Sequence, residues 1–215
     1  MHRYKAAIFD LDGTLLNTLE DLADSVNYVL EKFGYPKRNL DEIKAFVGNG
    51  IENLIKRSLP TSAPKNEFER LMPDFKTYYA ANCNVKTRPY DGILQVLKKL
   101  KSTGYNLALV SNKADFAVKS LSKIYFEGIM SLAVGARDGF GRKPAPDTVL
   151  FVLSELKTAR NEAVYIGDSD IDIITAENAG IDCISVDWGF RSRDFLFRSG
   201  AKVIVSEPHE LLKLL

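Results

Sequence analysis

From residue 107 onward the chain repeats one pattern, a short apolar run followed by a stripe of apolar residues at helical spacing. The runs 107–110, 132–134, 164–166, 183–186 and 203–205 predict strands. Residues 116–124, 149–156 and 171–179 predict helices between the first four of them. Ala6–Phe9 is one more strand of the same kind, and Ile93, Val96, Leu97 and Leu100 form a further helical stripe. Strands without a polar face, separated by helices, build a parallel sheet covered on both sides, an α/β fold. Ligands of such sheets bind outside the carboxyl ends of the strands, so the residues that follow each strand carry the chemistry.

The first strand ends in Asp10, Leu11, Asp12, Gly13 and Thr14. Two carboxylates two residues apart project to one side of an extended chain and repel each other. A shared proton or a divalent cation relieves that repulsion; the cation suits the chemistry better, since it also neutralises an anionic substrate. One carboxylate is then able to attack phosphorus while the other acts as acid and base. Ser111, Asn112 and Lys113 follow the 107–110 strand, where a hydroxyl and an N–H group suit a phosphoryl oxygen. Pro144 keeps Lys143 extended, which aims a compact positive charge. After 164–166 come Gly167, Asp168, Ser169, Asp170 and Asp172. Asp168 is placed to ligate a hard cation, and the starting helix returns Asp172 to the same face. Asp170 points elsewhere. Asp10, Asp12, Asp168 and Asp172 thus converge with Lys143 as compensation, and like charges at this spacing cost roughly 4 kcal/mol per pair. Mg²⁺ is the expected counter-charge.

Between the first strand and the repeating region, residues 17–85 read as helical throughout. Thr18 and Asp21 resemble a capping box ahead of a helix over 19–33, and further helices are expected at 41–47, 51–59 and 64–82. An all-helical stretch entered and left near one place reads as a small inserted domain. Within it, Val47-Gly48-Asn49-Gly50 breaks two helices, either as a plain turn between them or as one that opens backbone N–H groups as an anion contact. The 215 residues carry 29 Lys and Arg against 28 Asp and Glu, a net charge of +1 that gives no general attraction to nucleic acid or anionic lipid. No apolar run approaches the ~20 residues of a membrane span. Cys83 and Cys183 read as buried reduced thiols, and Met1 to Tyr4 lead straight into the first strand. The expectation is a cytoplasmic protein. His2, His209 and Trp188 read as surface or packing residues.

Asp10-Leu11-Asp12-Gly13-Thr14, Ser111-Asn112, Lys143-Pro144 and Gly167-Asp168-Ser169 with Asp172 together resemble the haloacid dehalogenase superfamily of phosphotransferases. The resemblance implies a Rossmann-like doubly wound parallel sheet core, residues 1–16 and 86–215, with an all-helical cap domain inserted at 17–85. It implies Asp10 as the phosphorylated nucleophile, and Asp12 as the acid that protonates the leaving oxygen and later activates water. It implies Thr14, Ser111 and Asn112 as phosphoryl-binding groups and Lys143 as charge balance. Mg²⁺ would be held by Asp10, the Asp12 backbone carbonyl and Asp168, with Asp172 in support. The cap would close over substrate and bring Gly48, Asn49 and Gly50 to its non-phosphate end. Within the family, Asn17 to Asp21, the Gly48–Gly50 turn and Trp188-Gly189-Phe190-Arg191-Ser192 are similar to phosphoglycolate phosphatases, acting on a small phosphorylated metabolite as monomer or homodimer. Pyrophosphatases, sugar phosphatases and phosphomutases share much of this pattern. Asp12 argues against the hydrolytic dehalogenases, and the intact acidic set argues against a silent scaffold.

Overall fold

The computed structural model describes residues 3–48 and 50–215. Asn49 and His2, named above, lie outside them. The chain forms two compact units, Met1–Leu16 with Pro89–Leu215, and Asn17–Arg88. The second crossing falls at 88/89, where the sequence places it at 85/86.

The larger unit is built on β1 (Ala6–Phe9). Two short strands, β2 (Leu16–Asn17) and β3 (Arg88–Pro89), pair with each other where the chain passes from one unit to the other. Sequence periodicity gives no sign of them, since two residues carry no period. Then follow β4 (Asn106–Ala114), β5 (Leu132–Ala136), β6 (Ala163–Gly167), β7 (Asp182–Val186) and β8 (Ile204–Val205). The sheet runs β5-β4-β1-β6-β7-β8, and the five pairings are parallel. With the two linker strands set aside, this is the doubly wound order 3-2-1-4-5-6. The direction of winding reverses between β1 and β6, so the switch point lies beyond Phe9 and Gly167.

Both faces of the sheet are buried, which is why its strands read as continuous apolar runs. Ala7 and Phe9 of β1 pack with Leu107, Leu109, Val164 and Ile166 into one core. Ala6 and Ile8 pack with Ala108, Val110 and Tyr165 into the other. Residues of α5 (Ile93–Ser102) and α6 (Asp115–Phe126) join the first core, and residues of α7 (Asp147–Glu155) and α8 (Asp170–Ala179) the second. Complete burial of side chains such as Phe9 and Ile8 stabilises the fold by about 1.5–3 kcal/mol each.

Among the described residues the smaller unit has four helices, α1 (Leu19–Lys32), α2 (Leu40–Phe46), α3 (Gly50–Ser58) and α4 (Glu67–Asn82). Tyr28 of α1 stacks on Tyr78 of α4 at 4.0 Å between ring centres. Asn39 and Glu42 form a reciprocal capping box at α2. Thr18, expected to cap α1, makes no side-chain capping bond. Asp21 turns away from that role: its buried carboxylate accepts the backbone N–H groups of Val85, Lys86 and Thr87. Gly48 and Gly50 both have positive φ, 128° and 79°, as a turn between α2 and α3 requires. Cys83 and Cys183 form no disulfide and are half-buried, not buried.

Candidate active site

The carboxyl ends of β1 and β6 bring three buried carboxylates together. One oxygen each of Asp10, Asp168 and Asp172 lies within 4.8 Å of the others. Asp10 follows β1 and Asp168 follows β6, on the two sides of the switch point. Asp172 comes back to them because Ser169 caps α8: the Ser169 N–H and hydroxyl both donate to Asp172 Oδ2, at 3.1 and 2.6 Å. Its other oxygen, Oδ1, accepts from Lys143 Nζ at 2.7 Å. Both oxygens of Asp172 are thus engaged by protein groups.

Asp168 is held as tightly. Phe190 N–H donates to its Oδ2 at 2.7 Å, and Thr14 Oγ1 donates to its Oδ1 at 3.2 Å. Trp188 Nε1–H reaches the Thr14 carbonyl at 3.0 Å, so the loop after β7 pins the loop after β1. Thr14 is wholly buried and its hydroxyl is committed to Asp168. Two glycines make room. Gly13 has φ +87°, and a Cβ there would lie 2.4 Å from Asp168 Oδ2. A Cβ at Gly189 would lie 2.3 Å from the Gly13 carbonyl.

Lys143 is almost fully buried and sits among three oxygens, Asp172 Oδ1, Asp10 Oδ1 at 3.0 Å and the Tyr165 hydroxyl at 3.0 Å. The Tyr165 hydroxyl in turn donates to the Val110 carbonyl at 2.9 Å. Burial alone would push the Lys143 ammonium down, but Asp10 and Asp172 reverse this and raise it well above the usual lysine value. Asn112 fixes the lysine's backbone with two bonds. Its Oδ1 accepts the Lys143 N–H at 2.8 Å, and its Nδ2 donates to the Lys143 carbonyl at 3.0 Å. The Asn112 side chain is therefore spent on Lys143. Ser111, buried beside it, accepts the Lys113 N–H through Oγ at 3.4 Å.

Asp12, expected to converge with the three carboxylates, stands apart from them and turns to Lys113, a residue with no role in the sequence analysis. Lys113 Nζ lies 2.8 Å from Asp12 Oδ1, with the lysine side chain 3 % exposed. Four carboxylates therefore meet two ammonium groups, Lys113 and Lys143, where sequence reasoning counted one. Asp170 pairs loosely with Arg191 at 3.9 Å, which accounts for its charge. Lys113, Tyr165 and the clamping role of Asn112 escape periodicity and spacing, because only the folded sheet aligns the ends of β4 and β6 with the loop after β1.

Fully ionised, the four carboxylates and two lysines leave two negative charges. Asp10 Oδ1 is buried, and although Lys143 lies at ion-pair distance, no donor is aligned on it as a hydrogen bond. Burial, with repulsion from Asp172 and Asp12, raises the Asp10 carboxyl to about 7 against the pull of Lys143. Burial and repulsion from Asp172 and Asp10 raise Asp168 to about 8. Hard oxygen donors, an unaligned buried oxygen and a charge deficit of two fit a small divalent cation, which Asp10 and Asp168 would hold while Asp172 supports from behind.

Comparison with known proteins places the chain in a family. The family model for haloacid dehalogenase-like hydrolases matches residues 7–186. A phosphoglycolate phosphatase of Aquifex aeolicus is 33% identical over 214 residues, covering 98% of this chain and 96% of its own length. One of Psychrobacter arcticus is 35% identical over 191 residues, covering 85% and 83%. A crystal structure from Lactobacillus delbrueckii subsp. bulgaricus, described provisionally as a phosphoglycolate phosphatase, superposes with a TM-score of 0.94 at 39% identity, covering 99% of both chains.

Proposed function

We propose that this chain, which belongs to the haloacid dehalogenase-like hydrolase family, is a Mg²⁺-dependent phosphatase that cleaves small phosphomonoesters through an aspartyl phosphate on Asp10. The observation that carries this reading is the buried meeting of Asp10, Asp168 and Asp172 at the switch point, with Lys143 among them. When bound, the cation supplies positive charge against the phosphoryl oxygens and relieves the repulsion between carboxylates.

The chain's own groups divide the remaining work. Asp10 attacks phosphorus in line with the departing ester oxygen, and Asp12 gives that oxygen its proton. Water then attacks the aspartyl phosphate, Asp12 takes the proton back, and inorganic phosphate leaves. Lys143 favours the ionised form of Asp10 for the attack and orients it, itself held by Asn112, Tyr165 and Asp172. Ser111 offers a hydroxyl to the phosphoryl oxygens, whereas Thr14 serves by holding Asp168.

Phosphoglycolate is the substrate assigned, on the strength of full-length relatives at about one-third identity that carry that name. We place the reaction in the cytoplasm, where that small anionic metabolite would be met. Phosphate release from phosphoglycolate, pyrophosphate and sugar phosphates, with and without Mg²⁺ and with Asp10→Asn as blank, tests the reading. Strong Mg²⁺-dependent preference for phosphoglycolate is expected. Broad, weak release overturns the substrate but not the chemistry, and unchanged turnover by Asp10→Asn overturns the nucleophile.

A further inference from the structure

We propose that Lys113 is a positioning residue for Asp12, fixing its carboxylate through Oδ1 so that Oδ2 carries the proton given to the leaving group. The proposal rests on the reading of Asp12 as proton donor.

A lysine ammonium placed where its side chain is 3 % exposed costs several kcal/mol unless it is paired, and its amine meets Asp12 Oδ1 at 2.8 Å. The chain builds the place for it. β4 does not stop with its apolar run at Val110 but continues through Ser111, Asn112, Lys113 and Ala114. Its pairing with β5 shifts between Val110 and Ala114, and this irregularity re-aims the side chains of the extension. Ser111 Oγ accepts the Lys113 N–H. Gly135 of β5 lies against the same backbone: a Cβ there would be 2.5 Å from the Lys113 carbonyl oxygen and 2.6 Å from Asp115 Cα. The Gly135 N–H also donates to Asp115 Oδ1 at 2.9 Å. The backbone that carries Lys113 is therefore located by Ser111 on its own strand and by Gly135 on β5.

The two lysines divide the site. Lys143 serves Asp10 and Asp172, and Lys113 serves Asp12. Asp12 sits on a turn beside the like-charged Asp10, and its side chain is 17 % exposed. Without Lys113 its carboxylate is free to change rotamer away from Asp10. In the first step the Asp10–phosphorus bond forms, the ester P–O bond breaks, and the Asp12 proton passes to the departing oxygen. In the second the water oxygen bonds to phosphorus, the Asp10–phosphorus bond breaks, and the water's proton returns to Asp12. Lys113 is unchanged in both. Its loss therefore falls on the proton, not on the phosphoryl group.

Leaving groups separate these effects. An alkoxide needs the proton as the bond breaks, whereas a nitrophenolate departs without it. Leaving-group release in the first turnover, before the aspartyl phosphate is hydrolysed, is to be measured for phosphoglycolate as the alkyl ester and for p-nitrophenyl phosphate, with Mg²⁺, in the wild type, Lys113→Met, Asp12→Asn and the double variant. Lys113→Met is expected to lower the first-turnover rate on the alkyl ester about 100-fold and on the nitrophenyl ester less than about 10-fold, with the half-saturating concentration little changed on either. Asp12→Asn should show the same bias, and the double variant should be no slower than Asp12→Asn alone. Gly135→Ala, which keeps the charge but displaces the Lys113 backbone, should reproduce the bias and carries the test if Lys113→Met fails to fold. Equal first-turnover losses on the two esters, a raised half-saturating concentration with the saturated rate kept, or losses that multiply in the double variant would overturn the proposal. If Asp12→Asn shows no bias, Asp12 is not the proton donor and the proposal falls with that assignment. If the wild type turns over neither p-nitrophenyl phosphate nor phosphoglycolate, the phosphatase reading itself has failed.

Discussion

Each carboxylate of the site has a different neighbourhood, and the neighbourhood sets its work. Asp172 has both oxygens engaged and is a support, Asp168 is gripped by a backbone N–H and a hydroxyl, and Asp10 keeps an oxygen on which no donor is aligned. The raised carboxyls of Asp10, at about 7, and Asp168, at about 8, have a consequence for stability. Between the ordinary carboxylate value of 3.8 and about 8 the folded protein binds more protons than the unfolded chain. Stability of the metal-free protein therefore falls as pH rises through that window. In chelator, the melting temperature should rise as pH is lowered from about 8 to about 6. One fixed Mg²⁺ concentration should raise it more at the upper pH than at the lower, the whole gain being about 2.7 kcal/mol where that concentration is a hundred times Kd. A melting temperature indifferent to both would mean that the carboxylates do not hold a cation.

At the scale of elements, the site depends on what ends each strand and starts each helix. The Ser169 cap of α8 brings Asp172 back to the sheet, and the extension of β4 presents Ser111, Asn112 and Lys113 in one row. Asp21 does similar work in the helical unit, holding three backbone N–H groups of residues 85–87 from the first turn of α1. Asp21→Ala would leave those donors without their acceptor, and is expected to destabilise that unit by about 1–3 kcal/mol. Urea unfolding followed by a probe in α1 or α4 checks it; an unchanged midpoint would show that water satisfies the segment equally well. The sequence reading assigned Asp21 to a capping box because Thr18 stood three residues before it. Spacing within a helix cannot report an acceptor's partner 64 residues away. The same limit hid the Lys113–Asp12 pair, whose members are 101 residues apart, and the clamp of Asn112 on Lys143. Asp10 and Asp168 were legible because each follows an apolar run, where an α/β sheet has its ligand edge, and Asp172 because it falls in the first turn of the helix that starts there.

On the scale of the whole molecule, winding decides function. Strand order 3-2-1-4-5-6 sets β1 beside β6, and so places Asp10 next to Asp168 across 158 positions of sequence that alternation alone does not connect. That strands alternate with helices was legible from burial on both faces; which strand lies beside which was not, since any parallel order buries the same residues. A chain folded this way is expected to carry the phosphoryl group on Asp10 itself. The direct measurement is acid quench of the Mg²⁺-loaded protein during turnover of phosphoglycolate, followed by peptide mapping. One phosphoryl group on the peptide holding Asp10, lost in Asp10→Asn, is the predicted result. Phosphate release at the same rate with no covalent label, or with the label on another residue, would contradict it.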